Sequence, residues 1–337
     1  MSYWYRDNTN GIVVSSRIRL ARNLTDFPFP RWMSPEMFEE LKSKIKSVIN
    51  AVAKDLDLDL KFIEMDNIPH NEITAMVERH IISREFAENY KGRAIAISSD
   101  ESVSIMIGEE DHIRIQVLGC GLSIENNYYL ADKIDTALGE KLNFAYDSEL
   151  GYLTECPTNI GTGLRASVML HLPLHESSGA IQSITEAVGK IGLTVRGMYG
   201  EGSNSKASLY QISNQITLGI SEKSAVENLK VIAGQIVERE ENLRNRIERT
   251  TLEDSIFRAV GILKYARKID SNEFMQLISR IKLGIDMGII GNGDINPIEM
   301  LVSVQPGMLQ SKYGSMEASE RDELRAKITR ENINNKL

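Results

Sequence analysis

The segment Ser16-Arg17-Ile18-Arg19-Leu20 alternates guanidinium and aliphatic side chains one residue at a time. Successive side chains on a strand point to opposite faces, so the pattern predicts a strand with two arginines on one face and a buried row on the other. The arrangement recurs further along. In Glu110-Asp111-His112-Ile113-Arg114-Ile115-Gln116-Val117, the residues Glu110, His112, Arg114 and Gln116 share a face, and Ile113, Ile115 and Val117 oppose them. Arg165 opposes the small and aliphatic set of Arg165-Ala166-Ser167-Val168-Met169-Leu170, and Arg196 closes Leu193-Thr194-Val195 just before Gly197. Any one of these arginines suits a solvated strand face. Five of them, in a chain of formal net charge −8, predict a pocket suited to a polyanion. Arginine's planar fork grips phosphate oxygens in pairs and stays charged.

The remaining pattern supplies the framework. Ser34 and Pro35 open a helix along which Phe38, Leu41, Ile45, Val48 and Val52 recur at helical spacing. Strands are predicted over 93–98, 102–107, 111–118, 165–172, 193–197, 206–212 and 214–219. Helices are predicted from Ile124 to Leu138, ending at Gly139, and over 180–188, ending at Gly189. Beyond about residue 221 the pattern is helical almost throughout. The pattern as a whole predicts a mixed domain of strands and helices in residues 1–245, followed by a helical domain over 246–337.

Several function classes drop out. The acidic balance offers no basic stripe for nucleic acid. No apolar run approaches a membrane span, and the N-terminus has no apolar core of a secretory signal, so a cytoplasmic protein with reduced Cys120 and Cys156 is expected. No GxxxxGK[ST] loop is present, and neither HRD…N nor DFG occurs. Phosphates would therefore be held by side chains. The five histidines show no ligand spacing, and no dedicated metal site is expected.

Four motifs then stand in order. Cys156-Pro157-Thr158-Asn159-Ile160-Gly161-Thr162, with Arg165-Ala166-Ser167, resembles the signature of the phosphagen (guanidino) kinases. Glu109-Glu110-Asp111-His112-Ile113-Arg114, Ser16-Arg17-Ile18-Arg19 and Arg196-Gly197-Met198-Tyr199-Gly200-Glu201-Gly202 resemble that family's other motifs. Arg321-Asp322-Glu323-Leu324-Arg325-Ala326 resembles the RDxxRA motif of the bacterial protein-arginine kinases (McsB-type). The phrases from Ser15 to Leu24 and from Ile212 to Gly219 also resemble the bacterial form, as does the lack of a long helical domain before the first arginine pair. Two departures stand out. Gly108 replaces the family's common Asn, and Met169 replaces a frequent His near the nucleotide.

The resemblance implies an α+β fold, with an antiparallel sheet flanked by helices before the helical C-terminal domain. It also implies ATP with Mg²⁺, the ion held mainly by phosphates and water, and an arginine acceptor in a protein. Arg17, Arg19, Arg114, Arg165 and Arg196 would clamp the phosphates, with Ser15 and Ser16 beside the nucleotide. Glu110 and Glu201 would flank the acceptor guanidinium, Glu110 being the preferred base. Cys156 would be a thiolate orienting that guanidinium, and Asp111 would orient the loop. Arg321, Asp322, Arg325 and Ala326 would read a phosphoarginine allosterically. The implied partners are an activator protein, a chaperone–protease, a heat-shock repressor and a second copy of the chain, with marking for degradation as the outcome. Two other readings fit the residues: a kinase of free arginine, and a non-catalytic phosphoarginine-binding adaptor.

Overall fold

A computed structural model describes residues 3–6, 11–198, 205–291, 293 and 295–334. The elements in chain order are β1 (Val13–Arg22), α1 (Pro35–Asp55), β2 (Leu60–Glu64), α2 (His70–Glu78), α3 (Arg84–Glu88), β3 (Ala94–Ser98), β4 (Val103–Ile107), β5 (Ile113–Cys120) and α4 (Ile124–Gly139). Then come β6 (Tyr146–Asp147), β7 (Gly151–Tyr152), β8 (Leu164–His171), α5 (Pro173–Ser177), α6 (Ile181–Gly189), β9 (Leu193–Gly197), β10 (Leu209–Asn214) and α7 (Glu222–Arg244). Five helices complete it: α8 (Arg249–Tyr265), α9 (Ser271–Asp286), α10 (Pro297–Ser303), α11 (Pro306–Tyr313) and α12 (Ala318–Asn334).

Eight strands form one sheet in the order β2-β3-β4-β5-β1-β8-β10-β9, and every pairing is antiparallel. The aliphatic rows do what their spacing predicts. Ile18, Leu20, Ile113, Ile115, Val117, Leu164, Ala166 and Val168 are buried in one cluster with residues of α1, α4, α6 and α7. The Ser34 hydroxyl accepts from Met37 N at 3.3 Å and starts α1 where expected.

The opposite face is covered at its two ends. Near β3 and β4, Met65, Ile73, Met76, Ile82 and Phe86 pack on Ile95 and Met106. At the other end, Val14, Leu118, Met169 and Leu209 share a cluster with Trp4, Tyr5 and buried residues of α9, α10 and α12. The helical part therefore seals the sheet rather than standing clear of it, although the expected division at 245/246 falls in the turn between α7 and α8. The two covers are bolted together. Glu78 of α2 accepts from Gly307 N and Met308 N at 2.8 and 2.7 Å, at the start of α11. Between the covers lies a cleft.

One strand expectation is corrected. Residues 206–212 and 214–219 yield the single strand β10, and residues 215–217 leave the sheet. The reason is Thr217, whose hydroxyl donates to Thr158 O and Ile160 O and so ties its segment to another loop. Among the described residues, no helix is long and apolar enough to cross a membrane.

Candidate active site

The cleft brings the strand-face arginines together. Arg17 and Arg19 come from β1, Arg114 from β5, Arg165 from β8 and Arg196 from β9. Arg19 is in direct cross-strand register with Arg165. Like charges directly opposite one another on a sheet are destabilising. Arg17 and Arg19 line one arm of the cleft; Arg19, Arg114 and Arg165 line the other, and Arg196 lines both.

The electrostatics match this crowding. Burial, then Arg165 and Arg114, push the Arg17 guanidinium down to about 10. Burial, then Arg17, Arg114 and Arg165, hold Arg19 well below the ordinary arginine value. Burial, then Arg196 and Arg114, lower Arg165. The buried Nε of Arg19 has no hydrogen-bond partner among the described residues. Arg17 donates to Gln211 Oε1 at 2.8 Å, a neutral partner.

The acidic motif sits in the second arm. Glu109 is buried, paired with Arg114 and bonded by the Ser83 hydroxyl. Ser83 also caps α3, accepting from Phe86 N at 2.9 Å. Glu110 is 37% exposed, with Oε2 3.5 Å from Arg114 Nη2 and its carboxylate hydrogen-bonded by Cys156. Burial pushes the Glu110 carboxyl up from the usual range, against the pull of Arg114 and Cys156. Cys156 Sγ lies 3.0 Å from Thr158 Oγ1. Glu110 and Cys156 thus meet beside Arg114 and Arg165 in one pocket.

Asp111 is fully buried and points elsewhere. It accepts from Asn23 Nδ2 at 2.6 Å and from Glu155 N at 2.9 Å, anchoring the residue before Cys156. His112 accepts from Leu24 N at 2.9 Å through Nδ1, and its Nε2 bonds to Pro28 O at 2.7 Å. Its role is to fold the chain after β1, and it does not share the Arg114 pocket. Gly108 has φ +77°, and any Cβ there would strike the Phe38 ring. The backbone angle favours glycine, and a side chain here would also oblige the end of the Phe38 ring to shift.

Other expectations land differently. Ser15 lines a small recess with Arg17, Trp4, His80 and Met169. Ser16 does not: its hydroxyl donates to Gly121 O at 2.6 Å, and it alternates with Arg17 to the opposite face. Glu201 lies outside the described residues. In α12, Arg325 is not an open reader of phosphate. It is 1% exposed and donates to Val304 O, Ile269 O and Asp322 Oδ1 at 3.1, 2.9 and 2.7 Å. Its buried Nη2 has no partner among the described residues. Arg321 donates to Met316 O at 2.8 Å, and Ala326 is buried.

Sequence reasoning passed over Ser83, Glu85 and Gln211, all of which line the cleft. Gln211 had a signal, since polar Gln211 and Ser213 alternate with Tyr210 and Ile212 along β10. Ser83 reads as a helix cap, but its aim at Glu109 is a long-range fact. Among the described residues, no cluster of three His, Cys, Asp or Glu side chains is placed to hold a metal ion.

Comparison with known proteins gives a consistent match. Residues 40–243 match the family described as ATP:guanido phosphotransferase, C-terminal catalytic domain. Residues 249–336 match the protein-arginine kinase McsB C-terminal domain. A protein-arginine kinase of Brevibacillus brevis is 45% identical over 96% of this chain and 92% of its own length. One from Halothermothrix orenii is 42% identical over 99% and 97%. Among solved structures, the duplicated taurocyamine kinase of Schistosoma mansoni with bound transition-state-analogue components aligns at TM-score 0.62 and 25% identity. That alignment covers 78% of this chain and 38% of the taurocyamine kinase. Lombricine kinase aligns at TM-score 0.60 and 22% identity over 70% of this chain and 68% of its own, a likeness of fold.

Proposed function

Because the chain belongs to the ATP:guanido phosphotransferase family, and within it to the protein-arginine kinases, we propose a role for each side chain of its cleft in that reaction. ATP enters with Mg²⁺ as part of the substrate and lays its phosphates on Arg17, Arg19, Arg114, Arg165 and Arg196. The guanidinium of a protein arginine enters against Glu110 and Cys156. One of its nitrogens forms a bond to the γ-phosphorus, the bond to the β-phosphate oxygen breaks, and ADP leaves. The nitrogen sheds a proton, and Glu110 accepts it. A guanidinium is a poor nucleophile, so alignment and proton removal are what the acceptor side must supply. Glu201 is the second carboxylate by resemblance.

The observation that supports this reading most is the Arg19–Arg165 cross-strand pair with its lowered guanidinium values. The fold tolerates it because a polyanion offsets the repulsion when bound. Glu110→Ala and Glu201→Ala should each abolish transfer of labelled phosphate to a protein while nucleotide binding survives. Unchanged transfer by both variants would refute the assignment.

The finer expectations are kept on the resemblance alone: a cytoplasmic homodimer, an activator, transfer of marked proteins to a chaperone–protease, and inactivation of a heat-shock repressor. Phosphoarginine sensing by Arg321, Asp322 and Arg325 is kept with one condition: the Asp322–Arg325 pair must open first.

A further inference from the structure

Ser83 spans the two arms of the cleft. It lines the arm that holds Arg17, while Glu109 and Arg114 line the other. Its hydroxyl donates to Glu109 Oε1 and accepts from Phe86 N at 2.9 Å. The second Glu109 oxygen pairs with Arg114 Nη1, and Arg114 Nη2 lies 3.5 Å from Glu110 Oε2. Contacts therefore run from the segment after α2, through Ser83, Glu109 and Arg114, to the proposed base. Arg93 braces the same junction. It donates to the carbonyls of Glu85 and Phe86 at 3.2 and 3.3 Å and to Glu109 O at 3.5 Å.

The Glu109 side chain is buried, and its charge acts on Arg19 and Arg93 as well as on its partner Arg114. A carboxylate free to turn among arginines grips a guanidinium with both oxygens. Ser83 occupies Oε1, so Oε2 alone is presented to Arg114. The buried Arg19 Nε stays without a partner among the described residues. Capping α3 does not by itself call for a serine. Aspartate caps a helix as well, but it has no proton to give and would set a second negative charge against Glu109.

We propose that Ser83 is a positioning residue for phosphoryl transfer: by holding one oxygen of Glu109, it fixes the Arg114 guanidinium for the phosphates and keeps Glu109 off Arg19. This rests on the arginine-clamp reading of the cleft. The hydroxyl suits the task because it is neutral. It orders the carboxylate without cancelling its charge, and Arg114 keeps the donors that Glu109 does not use. Ser83 touches neither the phosphates nor the acceptor in this account and acts only through Glu109.

The test uses the full chain, ATP and a protein acceptor. Ser83→Gly removes the hydroxyl and barely weakens the helix cap. It should lower kcat/KM for ATP roughly 10- to 100-fold, the scale of a hydrogen bond to a charged group, with the KM for the acceptor and the urea midpoint little changed. Ser83→Thr keeps the hydroxyl and should recover most of that loss. In a Glu109→Gln background, Ser83→Gly should cost nothing further, because its effect passes through the carboxylate. A wild-type rate in Ser83→Gly would overturn the proposal and leave Ser83 a cap. So would a Ser83→Thr variant as slow as Ser83→Gly, a full further loss in the Glu109→Gln background, or a lost rate that tracks a fallen urea midpoint. Arg114→Met separates the two readings. If it leaves the ATP kinetics untouched, the clamp reading falls and Ser83 with it; if it cripples transfer while Ser83→Gly does not, Ser83 alone falls.

Discussion

Arg19 and Arg22 stand three residues apart on β1, Arg22 fully buried and Arg19 partly so, and their surroundings are opposite. Arg22 faces α4 and α7. It donates to both Asp135 oxygens at 2.7–3.1 Å, to Glu222 at 3.2 Å and to the carbonyls of Ala21 and Thr162 at 2.9 Å. Its guanidinium carbon sits 3.5 Å above the Tyr152 ring. Burial alone would lower its pKa, but Asp135 and Glu222 hold it above the ordinary arginine value. Arg19 faces the cleft among Arg17, Arg114 and Arg165, and its value is lowered. The carboxylate that partly offsets this, Glu109, is already engaged by Arg114 and Ser83. A structural arginine brings its counter-charges with it. A substrate-binding arginine waits for them.

This contrast can be broken by exchanging each residue for methionine. Arg19→Met should cost the most in function, about 10³-fold or more in transfer rate, the scale on which arginines stabilise phosphoryl transfer. The same change relieves repulsion, so the urea midpoint should stay level or rise. A large loss of stability would show Arg19 to be structural and erase the distinction. Arg22→Met should do the reverse. It leaves Asp135 and Glu222 as buried, uncompensated charges, a loss of about 3–5 kcal/mol in unfolding free energy. Protein that remains folded should keep its KM for ATP.

A smaller effect tests the positioning layer. Asp111→Ala takes one acceptor from Asn23 Nδ2, which keeps Leu153 O, and the acceptor of the partly buried Glu155 amide, a loss of about 1–3 kcal/mol in all. Because Glu155 precedes Cys156, kcat should fall while ATP binding persists. Equal losses in both would mean that Asp111 supports the whole cleft rather than the acceptor side.

Much of this contrast is readable in the sequence because strand alternation has period two. It placed Arg17, Arg19, Arg114 and Arg165 on one face and the aliphatics on the other. The same rule, applied strictly, sets Ser16 opposite Arg17, and the family resemblance pulled the expectation away from it. What could not be read depends on distant backbone. Thr217 leaves the sheet because Thr158 and Ile160 offer it carbonyls from another loop. Arg325 looks like one half of a surface helix pair, but the carbonyls of Ile269 and Val304 bury it. Neither partner is local to the motif. The division of labour between Glu109 and Glu110 is likewise invisible in an acidic run, since it is set by Ser83 of another loop.

The smallest expected effect lies in the pH profile, and it separates Glu110 from every other carboxylate of the site. Glu110 is proposed to accept a proton, so it must be ionised when the acceptor binds. Burial raises its pKa, and Arg114 and Cys156 offset only part of that rise. The acid limb of kcat/KM should therefore fall at a pH above the ordinary glutamate value of about 4.3, with activity lost as pH drops through it. Arg114→Met removes the largest stabilising charge from the Glu110 carboxylate, so it should move the limb further towards neutral pH, on top of its loss of rate. Arg196→Met removes a phosphate contact and should lower the rate with the limb in place. If both variants shift the limb equally, the titrating group is not the one beside Arg114, and the proton goes elsewhere.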